Sequence, residues 1–243
     1  MNAVDLTKRY GNLTAVDGLS LTVHAGEIYG VLGPNGAGKT TLFDVITGQR
    51  RPTSGKVLID DADVTGFTVW RRARLGLART FQRSTLFANL TVAENLAIAI
   101  RSRLKVGSRI WPSRLEREVG AEVSSRLEMA RLPALRHRLA WRLGHGERRI
   151  VEIELALARD PRLLLLDEPM AGLSGAEREA AVTRLRALPE AVTVILVEHD
   201  LDVVFAIAQR VSVLDHGVLI ADGTPAEIRA NRRVQEVYLG GFD

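Results

Sequence analysis

The stretch that most constrains the fold is a glycine-rich loop between a strand pattern and a helical pattern. Its sequence, Gly33-Pro34-Asn35-Gly36-Ala37-Gly38-Lys39-Thr40-Thr41, fits the phosphate-loop pattern Gly-x4-Gly-Lys-Thr without a gap. The apolar run Ile28-Tyr29-Gly30-Val31-Leu32 before it is typical of a buried strand, and Leu42, Val45 and Ile46 after it recur at helical spacing. This order predicts an α/β nucleotide-binding protein.

Phosphate chemistry explains each residue type in the loop. The glycines let consecutive backbone N–H groups point inward, and the helix N-terminus adds its positive end. Lys39 is predicted to reach the β- and γ-phosphates, and the Thr40 hydroxyl to ligate Mg²⁺. A strand-to-helix turn that binds no ligand is the alternative, and the presence of strand, loop, lysine and threonine together argues against it.

Composition narrows the class of protein. The chain has 243 residues, of which 46% are hydrophobic and 26% charged, and no apolar run approaches the ~18 residues of a membrane span. The N-terminus lacks a signal-peptide pattern, so we expect a cytoplasmic protein. The absence of cysteine excludes disulfides and thiolate metal sites. The net charge of +4 permits nucleic-acid binding, but the arginine excess in residues 101–149 favours a solvated basic face.

Two other segments predict separate layers. Leu19-Ser20-Leu21-Thr22-Val23 alternates like a half-buried strand, and residues 50–66 indicate a second small β layer. Residues 94–139 are helical and rich in arginine, with no strand pattern between them, which favours an inserted helical subdomain. Thr91 and Glu94 have the spacing of a capping box at the start of that segment.

Acidic residues follow two apolar strand patterns. Leu163–Leu166 leads into Asp167-Glu168, and Thr193–Val197 leads into Glu198-His199-Asp200. Function at the carboxyl ends of buried parallel strands is typical of α/β proteins. Asp167 therefore suits Mg²⁺ binding, Glu168 suits polarising the attacking water, and His199 suits a hydrogen bond to a terminal phosphate. Ordinary helix capping and packing are the alternatives.

Three weaker candidates gain meaning only from this context. Tyr10 could stack on an adenine base, although an early tyrosine is more often edge packing. Gln82 could ligate Mg²⁺ through its amide oxygen and position water. The turn Leu143-Gly144-His145-Gly146-Glu147 opens a periodic helix, so its backbone N–H groups form a second potential phosphate site.

Ser174 and Glu177 repeat the capping-box spacing before a later helix.

Taken in order, these motifs resemble those of the ATP-binding subunit of ABC transporters over essentially the whole chain. The correspondence covers Walker A (33–41), the Q-loop (Gln82), the signature (143–147), Walker B (Asp167-Glu168), the D-loop (171–174), the switch histidine (His199) and the adenine-stacking aromatic (Tyr10). The resemblance implies a P-loop NTPase core with a mostly parallel sheet and helices on both faces, an antiparallel β layer and an inserted helical subdomain. Residues 1–82 and 160–243 would form the core, and 83–159 the helical subdomain that ends in the signature helix.

Within that class the chain looks most like the branched-chain amino-acid importer ATPases. The similarity lies in Arg79-Thr80-Phe81-Gln82, in Thr91–Asn95, in Val197–Asp200 and in the ending Val237–Gly240. The urea and amide importers look similar here. Lipopolysaccharide-export ATPases share the tail and the run Gly146–Arg149 but differ around the Q-loop, so a lipid exporter is the second hypothesis. A soluble ABC ATPase of translation or DNA repair is the third.

The resemblance implies two ATPase subunits paired head to tail, each ATP lying between one Walker A loop and the other subunit's signature loop. Closure of the pair would move two membrane-spanning permease subunits, which the ATPase subunits contact at the cytoplasmic face of the membrane. The resemblance also implies an external solute-binding protein as a partner, and no binding of nucleic acid. Glu168 would act as the base and His199 would hold the γ-phosphate. The transported solute and the direction of transport cannot be deduced, because those contacts lie in other subunits.

The signature loop departs from the family pattern. The signature usually begins Leu-Ser-Gly-Gly-Gln, whereas this chain has Gly144 in place of the serine and Glu147 in place of the glutamine. Gly144 removes a hydroxyl that would contact the partner's γ-phosphate, a hydrogen bond worth about 1.5–3 kcal/mol. Our hypothesis is a heterodimer with two unequal ATP sites, and a homodimer is the alternative.

Overall fold

The computed structural model describes residues 1–80, 85–104 and 113–239. Their backbone contacts divide the chain into two compact units. The sheet unit comprises Met1–Arg79, Arg162–Glu168 and the described residues from Pro189 onward, and the helical unit comprises the described residues of Thr80–Pro161 and Pro169–Leu188. The division into core and helical subdomain that the resemblance implies stays a prediction.

Ten strands and nine α-helices occur in the described residues. The strands are β1 (Asn2–Tyr10), β2 (Leu13–Thr22), β3 (Ile28–Leu32), β4 (Ser54–Ile59), β5 (Ala62–Asp63), β6 (Leu77–Arg79), β7 (Leu163–Asp167), β8 (Thr193–Val197), β9 (Arg210–Asp215) and β10 (Val218–Gly223). The helices are α1 (Lys39–Thr47), α2 (Val69–Arg74), α3 (Val92–Arg103), α4 (Ser113–Met129), α5 (His145–Leu157), α6 (Gly175–Arg186), α7 (Leu201–Ile207), α8 (Pro225–Ala230) and α9 (Arg232–Leu239). None of the helices in these ranges is long and apolar enough to cross a membrane.

The larger sheet of the sheet unit has the order β10-β9-β3-β8-β7-β6. All neighbouring strands are parallel except β9 and β10, which form an antiparallel hairpin. Every residue of β3, β7 and β8 is buried, which explains why these strands are continuous apolar runs. The α/β fold with a mostly parallel sheet is therefore confirmed.

A second sheet is antiparallel and has the order β2-β1-β4-β5. In β2, Leu19 and Leu21 are buried while Ser20 and Thr22 are exposed, as the alternation predicted. The inward side chains of this sheet share a core with α1, whose Leu42, Phe43 and Ile46 are fully buried. This core fixes the helix that follows the phosphate loop.

The helical unit has its own core. Residues four apart on α3 (Val92, Leu96, Ile100) and on α4 (Val119, Val123, Leu127) are buried together with Leu143 and Val151. The predicted capping boxes are confirmed: Glu94 accepts from the Thr91 N–H at 2.7 Å, and Glu177 accepts from the Ser174 N–H at 2.9 Å.

The arginines in residues 101–149 do not form a simple solvated face. Arg101 and Arg103 pair with glutamates of α4, Arg126 is mostly buried, and Arg149 lies buried beside Glu152. Ion pairs therefore neutralise part of the basic excess within the described residues of this unit.

Candidate functional site

The phosphate loop has a backbone that only glycine accommodates at two positions. Gly33 has φ 154° and Gly38 has φ 100°, and both lie in the region that L side chains avoid. A Cβ on Gly33 would lie 2.4 Å from the carbonyl oxygen of Leu214, and one on Gly38 would lie 2.3 Å from that of Ala15. The loop therefore packs tightly between β9 and β2. Asn35 and Gly36, in contrast, are exposed.

Lys39 lies at the first position of α1 and is 7% exposed. Its Nζ donates to the carbonyl oxygens of Gly33 at 2.6 Å and Pro34 at 2.9 Å. Burial lowers the pKa of the Lys39 ammonium, and the negative charges of Glu168 and Asp167 oppose that shift. The ammonium therefore lies inside the loop, within electrostatic range of Asp167 and Glu168.

Parallel pairing brings the acidic strand ends together. Asp167 is the last residue of β7 and pairs with Val197, the last residue of β8. Glu168 follows with φ 48°, and its N–H donates to the carbonyl oxygen of Val197 at 2.9 Å. His199 Nδ1 then lies 3.9 Å from Glu168 Oε1. The sheet unit thus gathers Lys39, Asp167, Glu168 and His199 at one edge.

Two further residues lie at this edge, and the sequence patterns had suggested no functional role for either of them. Glu198 is 1% exposed, and its Oε2 lies 3.9 Å from His199 Nδ1. Arg79, the last residue of β6, donates from Nη2 to Asp167 Oδ2 at 2.9 Å and from Nη1 to Asp44 Oδ1 at 2.6 Å. Arg79 could have been noticed in the sequence as a basic residue at the end of β6, the strand that pairs with β7 and its terminal Asp167.

The oxygen donors present fit a magnesium ion that is shared with a nucleotide. The described ranges contain no cluster of three His, Cys, Asp or Glu side chains that could hold a metal alone. Mg²⁺ bound with a nucleotide needs only one or two carboxylates, because phosphates and water fill the other positions. Asp167 offers a carboxylate and the exposed Thr40 a hydroxyl. Gln82, the third predicted ligand, lies outside the described residues.

Tyr10 ends β1 with its side chain 40% exposed. The Lys8 Nζ lies 5.0 Å from the centroid of its ring. An exposed ring beside a cation could accept a stacked base, and the adenine-stacking role stays a prediction.

The signature loop lies in the helical unit at the start of α5. Gly144 is the N-cap residue, with an ordinary extended backbone at φ −61° and ψ 165°. Its N–H donates to Glu147 Oε2 at 2.8 Å, and Arg138 holds the same carboxylate at 2.8 Å. A glutamate at this position therefore closes the first helical turn.

The glycines around this loop have different constraints. A Cβ on Gly146 would lie 2.2 Å from Glu177 Oε1, and one on Gly172 would lie 2.7 Å from His145 Nδ1. A Cβ on Gly144 would meet nothing closer than Glu147 Oε2 at 3.5 Å. Gly146 and Gly172 thus permit close packing within the helical unit, whereas Gly144 has room for a serine.

Family models match most of the chain. The model described as "ABC transporter" matches residues 16–171, and the one described as "Branched-chain amino acid ATP-binding cassette transporter" matches residues 218–243. The chain is 38% identical to the high-affinity branched-chain amino acid transport ATP-binding protein BraF of Pseudomonas aeruginosa, covering 97% of this chain and 95% of BraF. It is 36% identical to the lipopolysaccharide export system ATP-binding protein LptB of Escherichia coli K12, covering 99% of this chain and 97% of LptB.

Solved structures agree with this similarity. The ADP conformation of MJ1267, an ATP-binding cassette of an ABC transporter, matches with a TM-score of 0.84 and 30% identity. The match covers 98% of this chain and 98% of that chain.

Proposed function

The chain belongs to the ABC transporter family and is an ATPase, and we propose that it energises the import of branched-chain amino acids or related small polar solutes. The observation that carries this proposal is the match of residues 218–243 to the branched-chain amino acid model, outside the region that the general ABC transporter model matches. Because lipopolysaccharide-export ATPases resemble this tail, the preference for an importer over an exporter rests on the segment Arg79-Thr80-Phe81-Gln82. The 38% identity to BraF over 97% of the chain supports it.

We propose a role for each site residue. The backbone N–H groups of the loop 33–41, of which Pro34 has none, and the Lys39 ammonium bind phosphate oxygens, and Tyr10 stacks on the adenine. Glu168 accepts a proton from the attacking water, since its half-buried carboxylate lies at the same strand end as His199 and directly after Asp167. His199 donates a hydrogen bond to the γ-phosphate. Its side chain is 62% exposed, so a ligand can reach it.

Thr40, Asp167 and Gln82 are the residues that would hold Mg²⁺ with the nucleotide. When bound, Mg²⁺ would neutralise charge on the β- and γ-phosphate oxygens. The Thr40 hydroxyl lies one residue after Lys39, so the same helical turn can present both groups to one phosphate chain.

The partners follow from the family. Two ATPase subunits pair so that residues 143–147 of one cover the nucleotide of the other, and two permease subunits hold the pair at the membrane. Gly144 supplies no hydroxyl to that interface, which favours a second, different ATPase subunit over a homodimer. An external solute-binding protein completes an importer.

The direct test is a pull-down of the Glu168→Gln protein from its native membranes in mild detergent with ATP, because slow hydrolysis should trap the closed assembly. Lys39→Ala is the matched control that should not close. Two permeases, a second ATPase and a solute-binding protein are expected, and the recovered complex should bind radiolabelled leucine.

Recovery of lipid-exporting membrane subunits would instead favour the LptB-like alternative. Recovery of ribosomes or DNA-associated proteins in the pull-down would contradict the proposed role in transport. A gel-shift titration in salt would test the expectation that no nucleic acid is bound, since such binding weakens steeply with salt.

A further inference from the structure

We propose that Arg79 is a positioning residue for Asp167, and that it fixes this carboxylate for cation binding by tying it to the helix that follows the phosphate loop. The inference rests on the proposed function, in which Asp167 holds Mg²⁺. It concerns a residue, Arg79, that has no role in the site assignments above.

The geometry is a bridge between two elements. Arg79 ends β6, Asp167 ends the neighbouring strand β7, and Asp44 lies on α1. One guanidinium spans both carboxylates, with Nη2 2.9 Å from Asp167 Oδ2 and Nη1 2.6 Å from Asp44 Oδ1. Nη1 also lies 3.3 Å from Gln49 Oε1. The cation-binding acid is thereby connected to the same helix that carries Lys39 and Thr40.

The ion pair between Arg79 and Asp167 is buried, so water cannot easily replace it. The side chains of Asp167 and Arg79 are 1% and 8% exposed, whereas that of Asp44 is 21% exposed. A carboxylate as enclosed as Asp167 has little water to solvate it, so its orientation is set by the protein groups that it contacts. Arg79 forms an ion pair with Asp167, in which Nη2 lies 2.9 Å from Oδ2. Loss of the guanidinium would therefore let the carboxylate turn away from its present direction.

Arginine suits the task better than lysine would. A planar guanidinium presents several N–H donors in a fixed fork and can hold two acids at once. A lysine ammonium would keep the charge but has no fixed directions with which to hold Asp44 and Asp167 in the present arrangement. Outer groups that orient a metal ligand typically change metal affinity 10- to 100-fold when they are removed.

The test compares the full-length wild type with Arg79→Met and Arg79→Lys. Binding of the fluorescent nucleotide mant-ATP is measured in EDTA and across a Mg²⁺ titration, and ATP hydrolysis is measured at varied Mg²⁺ and at varied ATP. We expect Arg79→Met to raise the Mg²⁺ concentration for half-maximal effect about 10- to 100-fold in both assays. Arg79→Lys should shift it in the same direction by less. Binding in EDTA and the KM for ATP at saturating Mg²⁺ should stay as in the wild type.

Arg72→Met is the matched control for loss of a buried arginine next to α1. Arg72 is 0% exposed and donates to the carbonyl oxygens of Val45 at 2.8 Å and Thr65 at 3.0 Å. These acceptors are backbone carbonyl oxygens rather than carboxylates, so removal of Arg72 should lower thermal stability without changing the Mg²⁺ requirement. If Arg79→Met does not fold, Arg79→Lys decides.

A second control asks whether Arg79 acts through Asp167. In an Asp167→Asn protein, the Mg²⁺ dependence of mant-ATP binding should not change further when Arg79→Lys is added. The inference is overturned by an unchanged Mg²⁺ requirement in the Arg79 variants, by an equal loss of binding in EDTA, or by a full additional shift in the Asp167→Asn protein. A wild type that needs no divalent cation in either assay would overturn the proposed cation site itself, together with this inference.

Discussion

The carboxylate of Glu154 on α5 is clasped by the guanidinium of Arg184 on α6, through contacts of 2.6 Å from Nε and 3.3 Å from Nη2. Both side chains belong to the helical unit, and they are 1% and 8% exposed. A second arginine, Arg126, lies 4.0 Å from the same carboxylate. The helix that follows the signature loop is thus joined to α6 by a buried ion pair.

Replacing Arg184 should be strongly destabilising. Arg184→Met leaves the enclosed Glu154 carboxylate without its principal partner, and breaking a buried pair from one side typically costs about 3–5 kcal/mol. The change should appear as a lower midpoint of urea denaturation followed by circular dichroism. Arg186→Met, at an exposed position on the same helix, should change the midpoint little. Equal midpoints for the two variants would show that the Glu154–Arg184 pair does not hold the helices together.

The sequence predicted the elements whose patterns are local. β3 and β7 are short apolar runs, α1 has apolar residues at helical spacing, and the capping boxes at Thr91 and Ser174 depend on residues three apart. In each of these cases the physical cause lies within about ten residues. A similar local box at Thr224 and Glu227 was not predicted, although its spacing is the same.

The sequence could not predict which charged residues are buried, because their partners are distant along the chain. Arg79 and Asp167 are separated by 88 residues, and Glu154 and Arg184 by 30. An arginine taken alone is expected on the surface, so Arg72 at 0% exposure is equally unforeseen. Tertiary contacts, rather than composition, determine which of these charged residues are buried.

Removing the loop lysine should weaken nucleotide binding. In Lys39→Ala the phosphates lose a charged donor, and a hydrogen bond to a charged group is worth about 1.5–3 kcal/mol, which is roughly 10- to 150-fold in affinity. Equilibrium titration with mant-ATP would measure the loss. Lys56→Ala, which removes an exposed lysine from β4, is the control of equal charge change. Unchanged affinity in Lys39→Ala would remove Lys39 from the site.

Glu168→Gln should separate binding from hydrolysis. The amide keeps the size of the side chain and leaves the backbone at φ 48° in place, but it cannot accept a proton from water. Loss of a general base typically slows turnover about 10²- to 10⁴-fold. Phosphate release should fall by that factor while mant-ATP still binds. Glu190→Gln, in the exposed turn before β8, should retain wild-type turnover. Rapid phosphate release by Glu168→Gln would place the base elsewhere.

Gly144→Ser should restore a hydroxyl to the signature loop without straining it. The position has an ordinary extended backbone, the nearest atom to an added Cβ is 3.5 Å away, and serine is a favoured N-cap residue. If the partner subunit's nucleotide faces this loop, the hydroxyl should tighten ATP binding by the assembled transporter about tenfold or more. Gly144→Ala adds the same Cβ without the hydroxyl and is the matched control. Equal ATP affinity and turnover in wild type, Ala and Ser variants would mean that Gly144 does not make the two ATP sites unequal.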